Sequence, residues 1–149
     1  MSEFKFRLRT IFAAEVKSDE SGTKIRGEML LSRRPVSFLG DVNSEGVVVA
    51  EDSDVRGESI RGRIFAFPSG RGSTVGTYVI LQLCKSGNAP LAIVNRKTES
   101  IIAAGAVIAR IPLFDSPEPD IFEELKPGVY RVEIEAREGI GVLRLLETG

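Results

Sequence analysis

Histidine is absent from the sequence, and cysteine occurs once, at Cys84. The first absence removes the usual general base near neutral pH and the commonest protein metal ligand. The second excludes a disulfide within the chain, and an iron–sulfur cluster held by this chain alone, which ordinarily takes about four thiolates. No metal ligands are therefore expected here. A lone thiol fits a reducing compartment, so the cytoplasm is the expected location. Long apolar runs are missing too: nothing approaches the roughly 18 uninterrupted residues that a membrane span needs. The opening residues Met1-Ser2-Glu3-Phe4-Lys5-Phe6-Arg7 alternate charge with aromatics and lack the apolar block of a signal peptide. There is also no excess of one charge. Lys and Arg number 20 against 21 Asp and Glu, a net charge of −1, so neither nucleic acid nor an anionic membrane is expected as the main partner. Any catalysis the chain takes part in must draw some of its machinery from elsewhere.

What is present is an ordinary globular composition, 42% hydrophobic and 28% charged over 149 residues. That suits one domain over 1–149, burying roughly 70% of its unfolded surface. Phe4, Phe6 and Leu8 alternate with Lys5, Arg7 and Arg9, the period-2 pattern of a half-buried strand. Residues 18–23 read as a loop. Ile25, Met29 and Leu31 predict a second strand, broken near Gly27. Segment 32–41 mixes charge, Pro35 and Gly40 and reads as a long irregular loop, the kind that tends to carry function. Residues 47–50 and 61–67 predict buried strands, the second stopped by Pro68.

Val75, Val79, Ile80 and Leu83 then make a helical stripe. Gly87-Asn88-Ala89-Pro90 ends it. A core strand at 91–94 follows, then a small-residue helix at 99–109 with Thr98 as N-cap, and a short strand at 111–114. Residues 115–119 read as a rigid acidic connector and 122–125 as a helical turn. Arms at 129–136 and 142–146, turned by 138–141, predict a closing hairpin. This order implies a mixed α/β domain whose sheet is neither purely parallel nor purely antiparallel.

Ser69-Gly70-Arg71-Gly72-Ser73-Thr74 falls between a predicted buried strand and a predicted helix. Backbone N–H groups at a helix start lack intrahelical partners, and the helix dipole adds partial positive charge. Glycines let a ligand approach that backbone, so the turn is a natural anion cradle. Arg71 would add a bidentate-capable cation for a carboxylate or phosphate. The spacing of Gly70, Gly72 and Gly76 is one residue too long for the dinucleotide fingerprint, and no Gly-Lys-Ser/Thr follows for a P-loop. A hydrolase triad cannot be built without histidine. On spacing alone, Ser73 or Thr74 capping the helix competes with Ser73 acting as a base primed by Arg71 and the amide dipoles.

Several segments together shift that balance. They are Ser37-Phe38-Leu39-Gly40, Gly57-Glu58-Ser59-Ile60-Arg61-Gly62-Arg63, and Phe67-Pro68 running through the serine turn to Thr77-Tyr78. Ala89-Pro90-Leu91-Ala92-Ile93-Val94-Asn95 and Ile101-Ile102-Ala103-Ala104-Gly105-Ala106, leading into Ile111-Pro112-Leu113, complete the set. In this order they resemble the aconitase X family, specifically its small subunits of the phosphomevalonate dehydratase type. The resemblance implies the swivelling β/β/α domain of aconitases. It also implies a separate large catalytic subunit holding iron or an iron–sulfur cluster through its own cysteines. The implied reaction is hydro-lyase chemistry, removing water from (R)-5-phosphomevalonate to give trans-anhydromevalonate 5-phosphate in a modified mevalonate route to isoprenoids.

In that family the serine of the turn, here Ser73, accepts the proton, taken from the carbon beside a carboxylate. Arg71, Gly72 and Thr74 are expected to hold the small anionic substrate. One departure is visible: the family's Ser-Phe-Leu-Gly-Gly reads Ser-Phe-Leu-Gly-Asp here, with Asp41 where a second glycine would permit a left-handed backbone. Two other readings compete with this one: a related subunit acting on another substrate, such as cis-3-hydroxy-L-proline, or an anion-binding module without chemistry. Cys84 reads as a small buried hydrophobe. Arg33-Arg34 and the acidic Glu118, Asp120, Glu123 and Glu124 read as solvated.

Overall fold

Alternating apolar residues close into a barrel in the computed structural model, which describes residues 5–13, 23–71 and 74–146. The strands are β1 (Lys5–Phe12), β2 (Thr23–Leu31), β3 (Ile64–Ala66), β4 (Ala92–Val94), β5 (Leu113–Glu118), β6 (Gly128–Arg137) and β7 (Ile140–Leu145). They pair in the order β1-β5-β4-β3-β2-β6-β7, and β7 returns to β1. Closure leaves no unpaired edge to template aggregation. The run β2-β3-β4-β5 is parallel and the remaining pairs are antiparallel. This mixed sheet, with β6 and β7 as its C-terminal hairpin, agrees with the α/β swivel-domain expectation.

Strand side chains alternate between two cores. Met29, Leu31, Ile64, Ala66, Ala92, Val94 and Phe114 fill one, with Phe6, Ile134 and Leu143. Leu30, Phe65, Ile93 and Leu113 enter the other, where they meet Ile80, Leu83, Ile102 and Ala106. The last four come from two helices, α2 (Val75–Lys85) and α3 (Ser100–Ala109). Burial on both faces explains why β3 and β4 read as continuous apolar runs. Each large side chain so buried contributes roughly 1.5–3 kcal/mol. A single-turn helix, α4 (Ile121–Glu124), and a short turn labelled α1 (Phe38–Asp41), whose Leu39 and Gly40 have non-helical dihedrals, complete the described fold.

Several expectations are corrected. Gly27 does not break β2; it pairs with Val132 on an unbroken ladder. Residues 47–50 form only isolated bridges, because the loop folds back on itself through Val42↔Val48 and Val47↔Ser59. The strand expected at 61–67 shortens to Ile64–Ala66. Residues 115–118 are not a connector: β5 continues through them, paired with β1 across two register shifts. Thr98 does not cap α3. Glu99 does, its carboxylate accepting from the Ile101 and Ile102 N–H groups at 3.2 and 2.7 Å. Cys84 is exposed rather than buried. Arg33 is more than solvated: its guanidinium donates to the carbonyls of Leu125 and Glu123, tying the loop after β2 to α4. Phe4 and most of the expected 18–23 loop lie outside the described residues.

Candidate functional site

Ligands of parallel α/β sheets bind outside the carboxyl ends of the strands. Here the segments leaving β2, β3 and β4 converge at that end, and the second of them is the glycine-rich turn. Its first half is held from both sides. The Phe67 N–H donates to Val94 O at 3.0 Å, and Arg96 N–H donates to Pro68 O at 2.9 Å. On the other flank Val36 N–H donates to Ser69 O, and Arg71 N–H to Val36 O, each at 3.0 Å. Asn95, fully buried, donates its side-chain N–H to Phe67 O at 2.9 Å. Backbone and amide together fix where the turn leaves the sheet.

Gly70 is required by a close approach. A Cβ there would sit 2.6 Å from Glu99 Oε1 and 2.6 Å from Ile102 Cγ1, so the turn rests directly on the start of α3. Gly76 plays a packing part, since a Cβ would lie 3.3 Å from Ile101 Cγ2. Thr77 adds a hydrogen bond from Oγ1 to Ile101 O at 3.0 Å. The first turns of α2 and α3 are thus clamped together beneath the candidate site.

Arg71 is half-exposed, and its Nη2 lies 3.6 Å from Asp41 Oδ2 and 3.6 Å from Asp52 Oδ2. Asp41 is in turn fixed by the Ser37 N–H, 2.7 Å from Oδ2. The left-handed backbone of this loop falls at Gly40, φ 97°. Asp41 therefore needs no glycine-like conformation, and the departure from the family pattern costs no backbone strain. Ser37 Oγ donates to Leu39 O at 3.0 Å and stays within its own loop. Thr74 is exposed at the head of α2, with helical dihedrals and no capping hydrogen bond from its hydroxyl. That removes Thr74 as a side-chain cap. Gly72 and Ser73 lie outside the described residues.

Sequence reasoning missed Asp41 and Asp52 as partners of Arg71, and Glu99 and Asn95 as supports of the turn. Only Asn95 carried a signal, as the polar end of an otherwise apolar strand. Exposed apolar side chains occur on the segments next to the turn: Leu39 and Val49, and Val75 and Tyr78 at the start of α2, Tyr78 at 72%. Leu39 and Val49 flank Asp41, whose carbonyl accepts from Val49 N–H at 2.8 Å.

The donor set present does not suit a metal cluster. Among the described residues no three His, Cys, Asp or Glu side chains converge as a metal site. The one thiol, Cys84, sits near the far end of α2, about 15 Å along the helix from the turn, and donates to Ala109 O at 3.5 Å.

The model of the aconitase X swivel domain family matches residues 16–143. The chain belongs to that family. Among curated relatives, the phosphomevalonate dehydratase small subunit of Archaeoglobus fulgidus is 49% identical over 116 residues, covering 78% of this chain and 87% of that one. The subunit of the same name from Methanosarcina acetivorans is 50% identical over 114 residues, 76% and 78% of the two chains. In three dimensions, the crystal structure of Thermococcus kodakaraensis aconitase X in its holo-form superposes with a TM-score of 0.76 at 42% identity, covering 95% of this chain and 98% of that one. A solution structure of a UPF0107 protein gives 0.75 at 44% identity, covering 97% and 100%. No described helix is long and apolar enough to cross a membrane.

Proposed function

We propose that this swivel-domain chain is the small subunit of a phosphomevalonate dehydratase, a hydro-lyase completed by a larger partner. What carries the reading is its 45–50% identity to several subunits of that name, over more than three-quarters of this chain in each. The shared name also favours this substrate over cis-3-hydroxy-L-proline. The chain contributes Ser73 as the proton acceptor, taking the proton from the carbon beside the substrate carboxylate. Arg71, with the Gly72 and Thr74 backbone, holds an anionic group of the substrate.

The aconitase X resemblance implies that iron or an iron–sulfur cluster is held by the large subunit, and a single thiol distant from the turn fits that division. The exposed Tyr78 and Val75 in the first turns of α2 support a partner covering this end of the domain. A lone exposed thiol is at home in the cytoplasm.

Reconstitution tests the assignment. The isolated chain is expected to carry no iron and show no dehydratase activity, while the chain co-expressed with its large subunit converts 5-phosphomevalonate to the anhydro product. Turnover by the lone chain would contradict the division of labour. An assembled pair inert toward 5-phosphomevalonate would contradict the substrate.

A further inference from the structure

Arg71 has two carboxylate neighbours, and they are not alike. Both Asp41 Oδ2 and Asp52 Oδ2 lie 3.6 Å from the same guanidinium nitrogen. Asp41 is 16% exposed, and besides its carboxylate bond to Ser37 N–H, its own N–H donates to Ser37 O at 3.0 Å and its carbonyl accepts from Val49 N–H at 2.8 Å. Asp52 is 62% exposed, on a surface turn. Two carboxylates share one guanidinium nitrogen, so an incoming phosphate or carboxylate must compete with them for Arg71. A 3.6 Å separation is an ion pair without a formed hydrogen bond. The guanidinium therefore keeps N–H donors for a bidentate anion.

We propose that Asp52 is a stand-in for the substrate's anionic group: it occupies Arg71 while the site is empty and yields it on binding, whereas Asp41 holds the guanidinium in place throughout. The proposal rests on the reading of Arg71 as the substrate's anion contact. Exposed ion pairs are weak, so Asp52 gives way at small cost. Asp52 and Asp41 are thus positioning residues with opposite effects on substrate affinity.

The test uses the chain assembled with its large subunit and 5-phosphomevalonate as substrate. Asp52→Asn is expected to lower KM about two- to fivefold, with kcat moving less than KM. That gain should fade at high salt and vanish in the Arg71→Gln background. Asp41→Asn keeps an acceptor for the Ser37 N–H but loses the charge, and should raise KM. If Asp52→Asn leaves KM unchanged or raises it while Arg71→Gln still raises KM, the stand-in role is overturned and the Arg71 reading stands. Asp41→Asn lowering KM as Asp52→Asn does would overturn the difference between the two acids. If Arg71→Gln leaves KM unmoved, the reading of Arg71 falls, and this proposal with it.

Discussion

Asp115 is fully buried on β5, and its carboxylate receives Arg9 Nε and Nη2 at 2.8 Å each and the Thr98 N–H at 3.1 Å. Burial pushes its pKa up, but the hydrogen bonds from Arg9, Thr98 and Ser116 outweigh that and hold it below the ordinary carboxylate value. Glu133 is lowered likewise, first by its hydrogen bond with Arg26. A depressed folded-state pKa means the stabilisation is complete above about pH 4 and lost as pH falls through the folded value. Thermal unfolding followed against pH should therefore show Tm falling below about pH 4. Asp115→Asn should flatten part of that fall while costing about 2 kcal/mol at neutral pH, since the Arg9 pairing to a charged acceptor is lost. An unchanged acid limb in the variant would contradict this role. In the sequence, Asp115 looked like part of an acidic connector, because Pro117 and Pro119 masked the strand. The ionic partner, Arg9, lies 106 residues away in sequence, and no local pattern announces a contact at that range.

Local devices, more than propensity, set the positions of the elements around the site. Glu99 caps α3, and Gly70 lets the turn settle against that cap. Gly70→Ala forces a Cβ to 2.6 Å from Glu99 Oε1 and Ile102 Cγ1, so either the turn or the cap must shift. The expected cost is about 1–3 kcal/mol, read as a lower Tm, together with reduced turnover of the assembled enzyme as the turn moves. Normal stability and turnover would mean that the turn does not depend on this approach. Such elements were partly legible. The stripe of Val79, Ile80 and Leu83 announced α2, and period-2 alternation announced β1, because both patterns persist for several residues. Residues 47–50 misled, since four apolar residues in a row suit a buried strand as well as a folded-back loop. Capping by Glu99 escaped notice because Thr98, one residue earlier, is the more usual cap type.

At the scale of the molecule, barrel closure carries the site to one end. The parallel strands deliver the loop after β2, the Ser69–Arg71 segment and the Asn95 segment to the same end of the barrel. This convergence could not be read from periodicity, because strand order is a long-range property. The resemblance to aconitase X small subunits implied the swivel domain but not its strand order. With Tyr78, 72% exposed beside the turn, on the face the large subunit covers, Tyr78→Asp should weaken assembly at least tenfold by titrated co-purification, with the Tm of the isolated chain unchanged; full-strength assembly would remove Tyr78 from the interface. In the function proposed above, this chain brings the proton acceptor and its partner the metal. The most direct measurement is the steady-state dehydration rate of the purified two-subunit complex carrying Ser73→Ala, beside wild type. The expected result is a complex assembled in normal yield with turnover reduced by roughly 10²–10⁴-fold. Near-normal turnover in that complex would contradict the account.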